Sequence, residues 1–332
     1  MKIAVLGNGG FGTAMAMVAS RAGHSVAQWG HDAEYTAQMA RERANPRYLP
    51  DIEIPRQIEI GADPGPVLQD AGAVLVAVPT QHVRGVMTAL RDAVPSGVPV
   101  VSLAKGLEQA TRLRPSQVLN EALGAAQPVL VLSGPSHAEE VARGLPTTVV
   151  LAGRDAELVQ TIQSELTCDS FRVYRNGDRL GVELCGALKN VMAVAAGMAQ
   201  GFGLGDNARA AILSRGIVEM ARFGLAEGAE LHTFFGLAGM GDLAVTAFSQ
   251  HGRNRALGER IGRGETLDEV LASTRKVAEG VWTSRVVRER AAELGVDMPL
   301  CCAVAAVLFD RVPIAQAVQS LMGRDTRDEV LS

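Results

Sequence analysis

No CxxC pair occurs among the four cysteines of this 332-residue chain, Cys168, Cys185, Cys301 and Cys302. Without paired thiols at ligand spacing, neither a structural metal site nor a disulfide framework is expected. Cys301 and Cys302 stand inside the apolar run PLCCAVAAVLF, where a free thiol packs as a small hydrophobe. An excess of one charge is missing too. Thirty-two Lys and Arg stand against 36 Asp and Glu, a formal net charge of −4, which offers no global attraction to nucleic acid or an anionic membrane. Any anion site must be local. Two uncharged runs, Val191 to Leu204 and Pro299 to Phe309, fall short of the ~18 apolar residues that mark a membrane span, and no membrane insertion is expected.

What is present describes an ordinary globular chain, 47% hydrophobic and 20% charged, long enough for two cores. The first half alternates short β-rich runs with helical stretches. KIAVLG (2–7), HSVAQW (24–29), AVLVAV (73–78), VPVVSL (98–103), PVLVLS (128–133), TTVVLAG (147–153) and SFRVYR (170–175) read as strands. The continuous apolar character of the first five is that of strands covered by helices on both faces. Helices are expected over 12–22, 33–43, 81–91, 113–123, 137–143 and 155–165, which makes a mainly parallel, doubly wound sheet. Prolines at 46, 50, 55, 64 and 66 interrupt this rhythm and favour loops and short extended pieces. After about Asn176 the strand signal ends. Helices are expected over 208–228, 230–236, 253–263, 267–274, 281–294, 299–309 and 313–321, following a long helical run that contains ELCGALKNVMAVAAG. The division expected is an α/β domain over 1–180 and an all-helical domain over 181–332.

MKIAVLGNGGFGTAMAMVASRAG, at the start, admits two readings. A secretory signal would need an unbroken apolar core, but glycines at 7, 9, 10 and 12 interrupt it. As strand, turn and helix, Gly7, Gly9 and Gly12 form G-x-G-x-x-G: one glycine for the tight turn, one for close approach of a pyrophosphate, one for helix packing. A retained, cytoplasmic nucleotide-binding domain is therefore expected. Beyond the second strand stand His31 and Asp32. Asp32 either selects the ribose 2′-hydroxyl of NAD or caps the helix that starts at Ala33, while His31, aided by Arg41 or Arg43, would face the 2′-phosphate of NADP. NADPH is the preferred expectation and NADH remains possible.

Charge in unexpected places marks the rest. Lys105 follows a strand at its C-terminal end, where open α/β sheets place ligands. Lys189 sits inside an apolar helix, where it either snorkels to the surface or, partly buried with a lowered pKa, transfers a proton. GLAGMGDLAVT (236–246) presents Asp242 as a helix cap or a site carboxylate, and SQHGRNRALGER (249–260) starts a helix with Arg253 and Asn254 as a phosphate receptor or a solvated basic face.

Taken in order, GNGGFGTA (7–14), WGHD (29–32), LAKGLE (103–108), SGPSHAEE (133–140), GALKN (186–190), GMGDL (239–243), GRNR (252–255) and VAEG (277–280) resemble bacterial NAD(P)-dependent glycerol-3-phosphate dehydrogenase. The resemblance covers nearly the whole chain. It implies an N-terminal Rossmann domain with a C-terminal helical domain like that of 6-phosphogluconate dehydrogenase, and reversible reduction of dihydroxyacetone phosphate to sn-glycerol 3-phosphate, the glycerophospholipid precursor. It places Gly10, Phe11, His31, Lys105, Ala138, Arg253, Val277 and Glu279 around the cofactor. Lys105, Gly134, Ser136, Lys189, Asp242, Gly252, Arg253 and Asn254 would surround the substrate, with Lys189 as proton donor or acceptor. Phe11, Ser136, His137 and Gly252 stand where the family commonly has Trp, Thr, Phe and Ser, so a hydroxyl is lost at Gly252. No metal is implied, and the apolar helical half makes a homodimer the expected assembly. Two alternatives share parts of this pattern: another Rossmann-plus-helical 3-hydroxyacid dehydrogenase, and a non-catalytic NAD(P)-sensing protein.

Overall fold

The computed structural model describes residues 1–249, 252–273 and 278–325. Chain contacts divide it into two units: Met1–Ala104 with Leu113–Arg179, and Lys105–Arg112 with Leu180–Ser332. The main change of unit lies beside the expected 180/181 boundary. The excursion of Lys105–Arg112 into the second unit has no counterpart in the expected division.

The inner strands of the first unit's main sheet are apolar on both sides because both sides are covered. The unit's ten strands among the described residues are β1 (Lys2–Leu6), β2 (Ser25–Trp29), β3 (Ala44–Asn45), β4 (Leu49–Glu53), β5 (Ile58–Gly61), β6 (Ala73–Val76), β7 (Val100–Ser102), β8 (Val129–Ser133), β9 (Thr147–Ala152) and β10 (Phe171–Asn176). Interleaved helices are α1 (Gly10–Arg21), α2 (Ala33–Glu42), α3 (Pro64–Leu68), α4 (Thr80–Ala89), α5 (Pro115–Leu123), α6 (Ala138–Ala142) and α7 (Ala156–Leu166). Along β1, Ile3 and Val5 join one buried cluster while Ala4 and Leu6 join another. Successive strand side chains point to opposite faces, so two helical layers require the unbroken apolar run.

The eight-stranded sheet has the order β10-β9-β8-β7-β6-β1-β2-β5. It is parallel except where β8 meets β9. The proline-rich segment expected as loops and short extended pieces supplies an edge strand, β5, paired in parallel with β2, and the antiparallel β3–β4 pair. The chain proceeds from β1 to β2 on one side and later to β6 on the other. That reversal opens a crevice at the C-terminal ends of β1 and β6, where doubly wound sheets bind ligands.

The second unit is helical: α8 (Arg179–Gly201), α9 (Asp206–Ala226), α10 (Leu231–Phe235), a π-helical turn (Leu237–Gly241), α11 (Asp242–Phe248), α12 (Arg253–Gly262), α13 (Leu267–Ala272), α14 (Glu279–Leu294), α15 (Pro299–Phe309) and α16 (Ile314–Met322). The end of the helix expected over 267–274 lies outside the described residues. Among the described residues, α8 alone has the length and apolarity of a membrane-crossing helix, and it is buried inside the protein.

Backbone meets backbone around α8. A Cβ at Gly197 or Gly201 of α8 would lie 2.1 Å from the carbonyl oxygen of Arg255 or Glu259 in α12, and one at Gly258 of α12 would lie 2.2 Å from that of Val194. Gly280 makes the same approach from α14, its added Cβ 2.4 Å from the oxygen of Asn190. Side chains at these positions would push the helices apart. Glu219 of α9 has a different structural role. Its carboxylate accepts from the N–H groups of Leu300 (2.7 Å) and Cys301 (3.1 Å), capping α15 from a neighbouring helix.

Gly258→Ala is expected to destabilise the chain by about 1–3 kcal/mol or more through overpacking. Gly85→Ala, in the exposed interior of α4 with nothing within 4 Å of the new methyl, should be neutral or stabilising by up to ~1 kcal/mol. Urea denaturation of the two variants checks the contrast.

Candidate active site

In the first unit the glycines of the opening turn divide by role. Gly7 has φ +118° and its added Cβ would fall 2.6 Å from the carbonyl oxygen of Ala77, while one at Gly12 would fall 2.1 Å from that of Gly7. Both are required by packing. At Gly9 nothing lies within 4 Å, so this glycine keeps space open at the start of α1, where Gly9 is an N-cap without a capping side chain. Open space before an uncapped helix N-terminus suits a phosphate. A Cβ at Gly10 would lie 3.5 Å from that of Ala138 and 2.8 Å from the carbonyl oxygen of Tyr48; Phe11 beside it is half-buried.

Buried polar side chains brace this turn from below. Gln28 Nε2 donates to the Gly7 carbonyl (3.0 Å) and to Thr13 Oγ1 (3.1 Å), and Asn45 Nδ2 donates to the Asn8 carbonyl (3.0 Å) and to Thr13 Oγ1 (2.8 Å). Asn8 Nδ2 in turn donates to Thr36 Oγ1 at 3.0 Å. With the carbonyls of Gly7 and Asn8 tied inward, the peptide planes of the turn are fixed. Sequence reading missed this network. Its available signal was polar residues, such as Gln28 in HSVAQW, inside otherwise apolar strands.

Around the end of β2, Asp32 caps α2, accepting from Tyr35 N–H at 3.0 Å, and pairs with Arg47 Nη1 at 3.0 Å. The Tyr35 N–H and the Arg47 guanidinium hold its carboxyl below the usual range. His31 is exposed. Of the two arginines expected to assist it, Arg43 is held elsewhere. Arg43 has φ +54° and turns its guanidinium onto the carbonyls of Ile54 (3.3 Å), Pro55 and Ile58 (2.8 Å), and Arg41 faces Glu42 at 3.6 Å. The cation beside Asp32 is Arg47, which sequence reading did not single out. After β8, Gly134 (φ +128°) turns the chain against Val149, and Ser136 Oγ donates to the Gly134 carbonyl at 2.9 Å.

In the second unit, Lys105, Lys189 and Asp242 come together. Lys189 does not snorkel: it is 6% exposed and donates to Asp242 Oδ1 at 2.5 Å and Thr246 Oγ1 at 2.8 Å. Lys105 Nζ reaches the other oxygen, Asp242 Oδ2, at 2.8 Å. Burial pushes the Lys189 amine down to about 8, with the Asp242 charge opposing that fall and the Lys105 charge adding to it. Burial alone would raise Asp242, but the two ammonium groups together hold its carboxyl below the ordinary range. GLAGMGDLAVT is not a simple glycine-rich connection. It forms the π-helical turn and then α11, so that Asp242 and Thr246, one helical turn apart, face the same ammonium. Thr246 also donates to the Asp242 carbonyl at 2.6 Å. It was missed in the sequence, where its spacing of four from Asp242 was the signal.

The GRNR stretch lies alongside. Gly252 is the N-cap of α12, and a Cβ there would stand 3.2 Å from the carbonyl oxygen of Thr246, so a larger residue would require that neighbour to give by a few tenths of an ångström. Arg253 is exposed, whereas Asn254 is buried. Asn254 Oδ1 accepts from Gly280 N–H at 3.0 Å, so its amide turns the NH₂ side away as a donor. Asn190 Nδ2 donates to the Lys105 carbonyl at 2.8 Å. The residues at 105, 189–190, 242–246, 252–254 and 279–280 are therefore linked within one unit. Glu279 opens α14, and Val277 lies outside the described residues. Among the described residues no cluster of His, Cys, Asp and Glu is arranged to hold a metal.

Comparison with known proteins matches both units. Residues 2–159 match the N-terminal model, and 178–319 the C-terminal model, of NAD-dependent glycerol-3-phosphate dehydrogenase. The chain is 44% identical over 332 residues to the glycerol-3-phosphate dehydrogenase (NAD(P)+) of Chlorobium phaeobacteroides strain BS1, covering 99% of each. The chain belongs to the NAD-dependent glycerol-3-phosphate dehydrogenase family. It is equally similar, at 44% over 330 residues, to the Moorella thermoacetica enzyme of that name, covering 99% of this chain and 98% of that one. The crystal structure of glycerol-3-phosphate dehydrogenase from Coxiella burnetii superposes with a TM-score of 0.92 at 36% identity, covering 97% of this chain and 99% of that one. The Rossmann-plus-helical architecture is thus the family's.

The cluster has a pH-dependent consequence. Lys189 carries a folded-state pKa of about 8 against an ordinary 10.5, so the unfolded chain binds more protons in that window and stability rises with pH across it. Asp242→Asn removes the counter-charge and pushes the Lys189 amine lower still. Thermal melts as a function of pH should show the rise beginning below pH 8 in this variant, with a loss of about 3–5 kcal/mol at neutral pH.

Proposed function

We propose that the chain catalyses reversible NAD(P)H-dependent reduction of dihydroxyacetone phosphate to sn-glycerol 3-phosphate, with NADPH preferred, as a cytoplasmic homodimer supplying glycerophospholipid synthesis. The carrying observation is the buried Lys189 held by Asp242 and Thr246 beside a second lysine. A nicotinamide, when bound, supplies or accepts the hydride at the substrate carbon. What the protein itself must manage is the proton and the charge.

In reduction, oxygen on that carbon gains negative charge and needs a proton. Lys189 has two N–H groups engaged by Asp242 and Thr246, leaving the third for a substrate oxygen. An amine titrating near pH 8 is matched to both directions, since the best acid–base group titrates close to working pH. Asp242 orients the ammonium, and Lys105 adds positive charge without donating the proton. Arg253, the Asn254 amide and the backbone at Gly252 are assigned to the phosphate, and Gly134 and Ser136 to the substrate. Remote phosphate binding fixes the reacting carbon in place. Gly7, Gly9, Gly10, Phe11, Gly12, His31, Lys105, Ala138, Arg253, Val277 and Glu279 are assigned to the cofactor. The homodimer is supported by the apolar helical half, in which α16 buries no residue fully and leaves Met322 81% exposed.

NADPH oxidation with dihydroxyacetone phosphate tests the reading directly: a folded, cofactor-binding protein without turnover would sink it. Activity on an unphosphorylated 3-hydroxyacid instead would favour a related dehydrogenase. Lys189→Ala should lose about 10²- to 10⁴-fold in turnover, and near-normal turnover would reassign the proton donor. In the parent protein, reduction should fall as pH rises through about 8, where Lys189 loses its proton, while oxidation of sn-glycerol 3-phosphate rises. Arg253→Ala should chiefly raise a Michaelis constant, and unchanged values for substrate and cofactor would remove it from the site.

A further inference from the structure

The expected acidic residue of a dinucleotide site stands about 20 residues beyond the glycine turn and accepts from the ribose. Asp32 has that position, but both its oxygens are engaged. Oδ1 caps α2 through Tyr35 N–H and Oδ2 pairs with Arg47. Arg47 is held at two points: its guanidinium lies 3.9 Å from the centre of the Tyr35 ring, and its backbone N–H donates to the Tyr35 hydroxyl at 3.1 Å. That hydroxyl donates to Asn45 Oδ1 at 2.6 Å, and Asn45 ties down the Asn8 carbonyl of the glycine turn. The cation is thus in fixed register with the turn.

Half of the Arg47 side chain is exposed. Beyond its Asp32 contact, its guanidinium N–H groups have no partner among the described residues. A planar fork fixed by stacking, with open donors, suits a phosphate monoester, and its preorganisation lowers the entropy lost on binding.

We propose that Arg47 recognises the adenosine 2′-phosphate of NADP(H), and that Asp32 is its internal counter-charge, limiting how far the site favours NADPH over NADH. The proposal rests on the nucleotide-site reading of the first unit. A 2′-phosphate takes Arg47 donors but meets the Asp32 carboxylate. A 2′-hydroxyl leaves the Asp32–Arg47 pair undisturbed. The two residues therefore act in opposite directions on one discrimination, and neither Arg41 nor Arg43 takes part.

Calorimetric titration of the full chain with NADPH, NADH, 2′,5′-ADP and ADP reads this without turnover. Arg47→Gln should weaken NADPH and 2′,5′-ADP by about 10- to 100-fold, the worth of a charge-assisted hydrogen bond, and change NADH by less than about threefold. Arg47→Lys, retaining charge without the fork, should give a smaller loss in the same direction. Asp32→Asn keeps an equally good helix cap and should tighten the phosphorylated ligands relative to NADH. An unchanged NADPH-to-NADH ratio in both Arg47 variants, equal weakening of the two dinucleotides, or selective loss of NADPH in Asp32→Asn overturns the proposal while leaving the nucleotide site standing. A parent protein that binds neither dinucleotide overturns the site reading and the proposal together.

Discussion

One carboxylate shared between two ammonium groups sets the geometry of the helical unit. Asp242 is almost wholly buried, and a lone charge there would be strongly disfavoured. Lys105 and Lys189 each take one of its oxygens, and Thr246 accepts a second hydrogen bond from Lys189. Two cations on one anion also leave the cluster with surplus positive charge. Burial and the second lysine weaken the hold of Lys189 on its proton, whereas the carboxylate keeps the amine from losing it altogether. A group poised between those two effects is what proton transfer requires.

The same cluster accounts for the chain's detour between β7 and α5. After Ala104 the backbone leaves the unit of the sheet and returns at Leu113. Lys105 is held through its ammonium by Asp242 and through its carbonyl by Asn190. Arg112 at the far end pairs with Glu289 of α14 at 3.1 Å and with Glu293. The segment is thereby fastened at both ends to helices far along the chain. Nothing in the local sequence announces this, because the nearest of those partners, Asn190, is 85 residues away.

The features legible in the sequence were those governed by short-range rules. Strands covered on two faces must be apolar throughout, so KIAVLG and AVLVAV declared themselves. Helix phasing located α9, α12 and α15 closely. β5 escaped because prolines on either side masked a four-residue edge strand. Lys189 was visible as a charge in an apolar helix, but whether it snorkelled or was buried depended on Asp242, which only the fold delivers. Arg47 was invisible for a related reason. Its contacts with Asp32 and Tyr35 arise from the path of β3, β4 and their turn, not from spacing along an element. The paired glycines of α8 and α12 were readable in principle, since both helices carry two glycines four residues apart, but the spacing identifies a close approach without naming its partner.

Helix starts differ in how their first-turn N–H groups are capped. Asp32, Asp63, Asp155 and Thr266 cap α2, α3, α7 and α13 with side-chain oxygens, and Glu219 caps α15 from another helix. By contrast α1 begins on Gly9, α9 on Gly205 and α12 on Gly252, none with a side-chain oxygen to offer. Replacing a good cap by glycine costs only a few tenths of a kcal/mol, far less than the loss of a charge-assisted hydrogen bond to a bound phosphate, about 1.5–3 kcal/mol. A capping side chain at Gly9 or Gly252 would occupy first-turn N–H groups and the space in front of them. Under the proposed function, the glycines at 9 and 252 give up a small, dispensable stabilisation so that two helix ends remain available to two different phosphates.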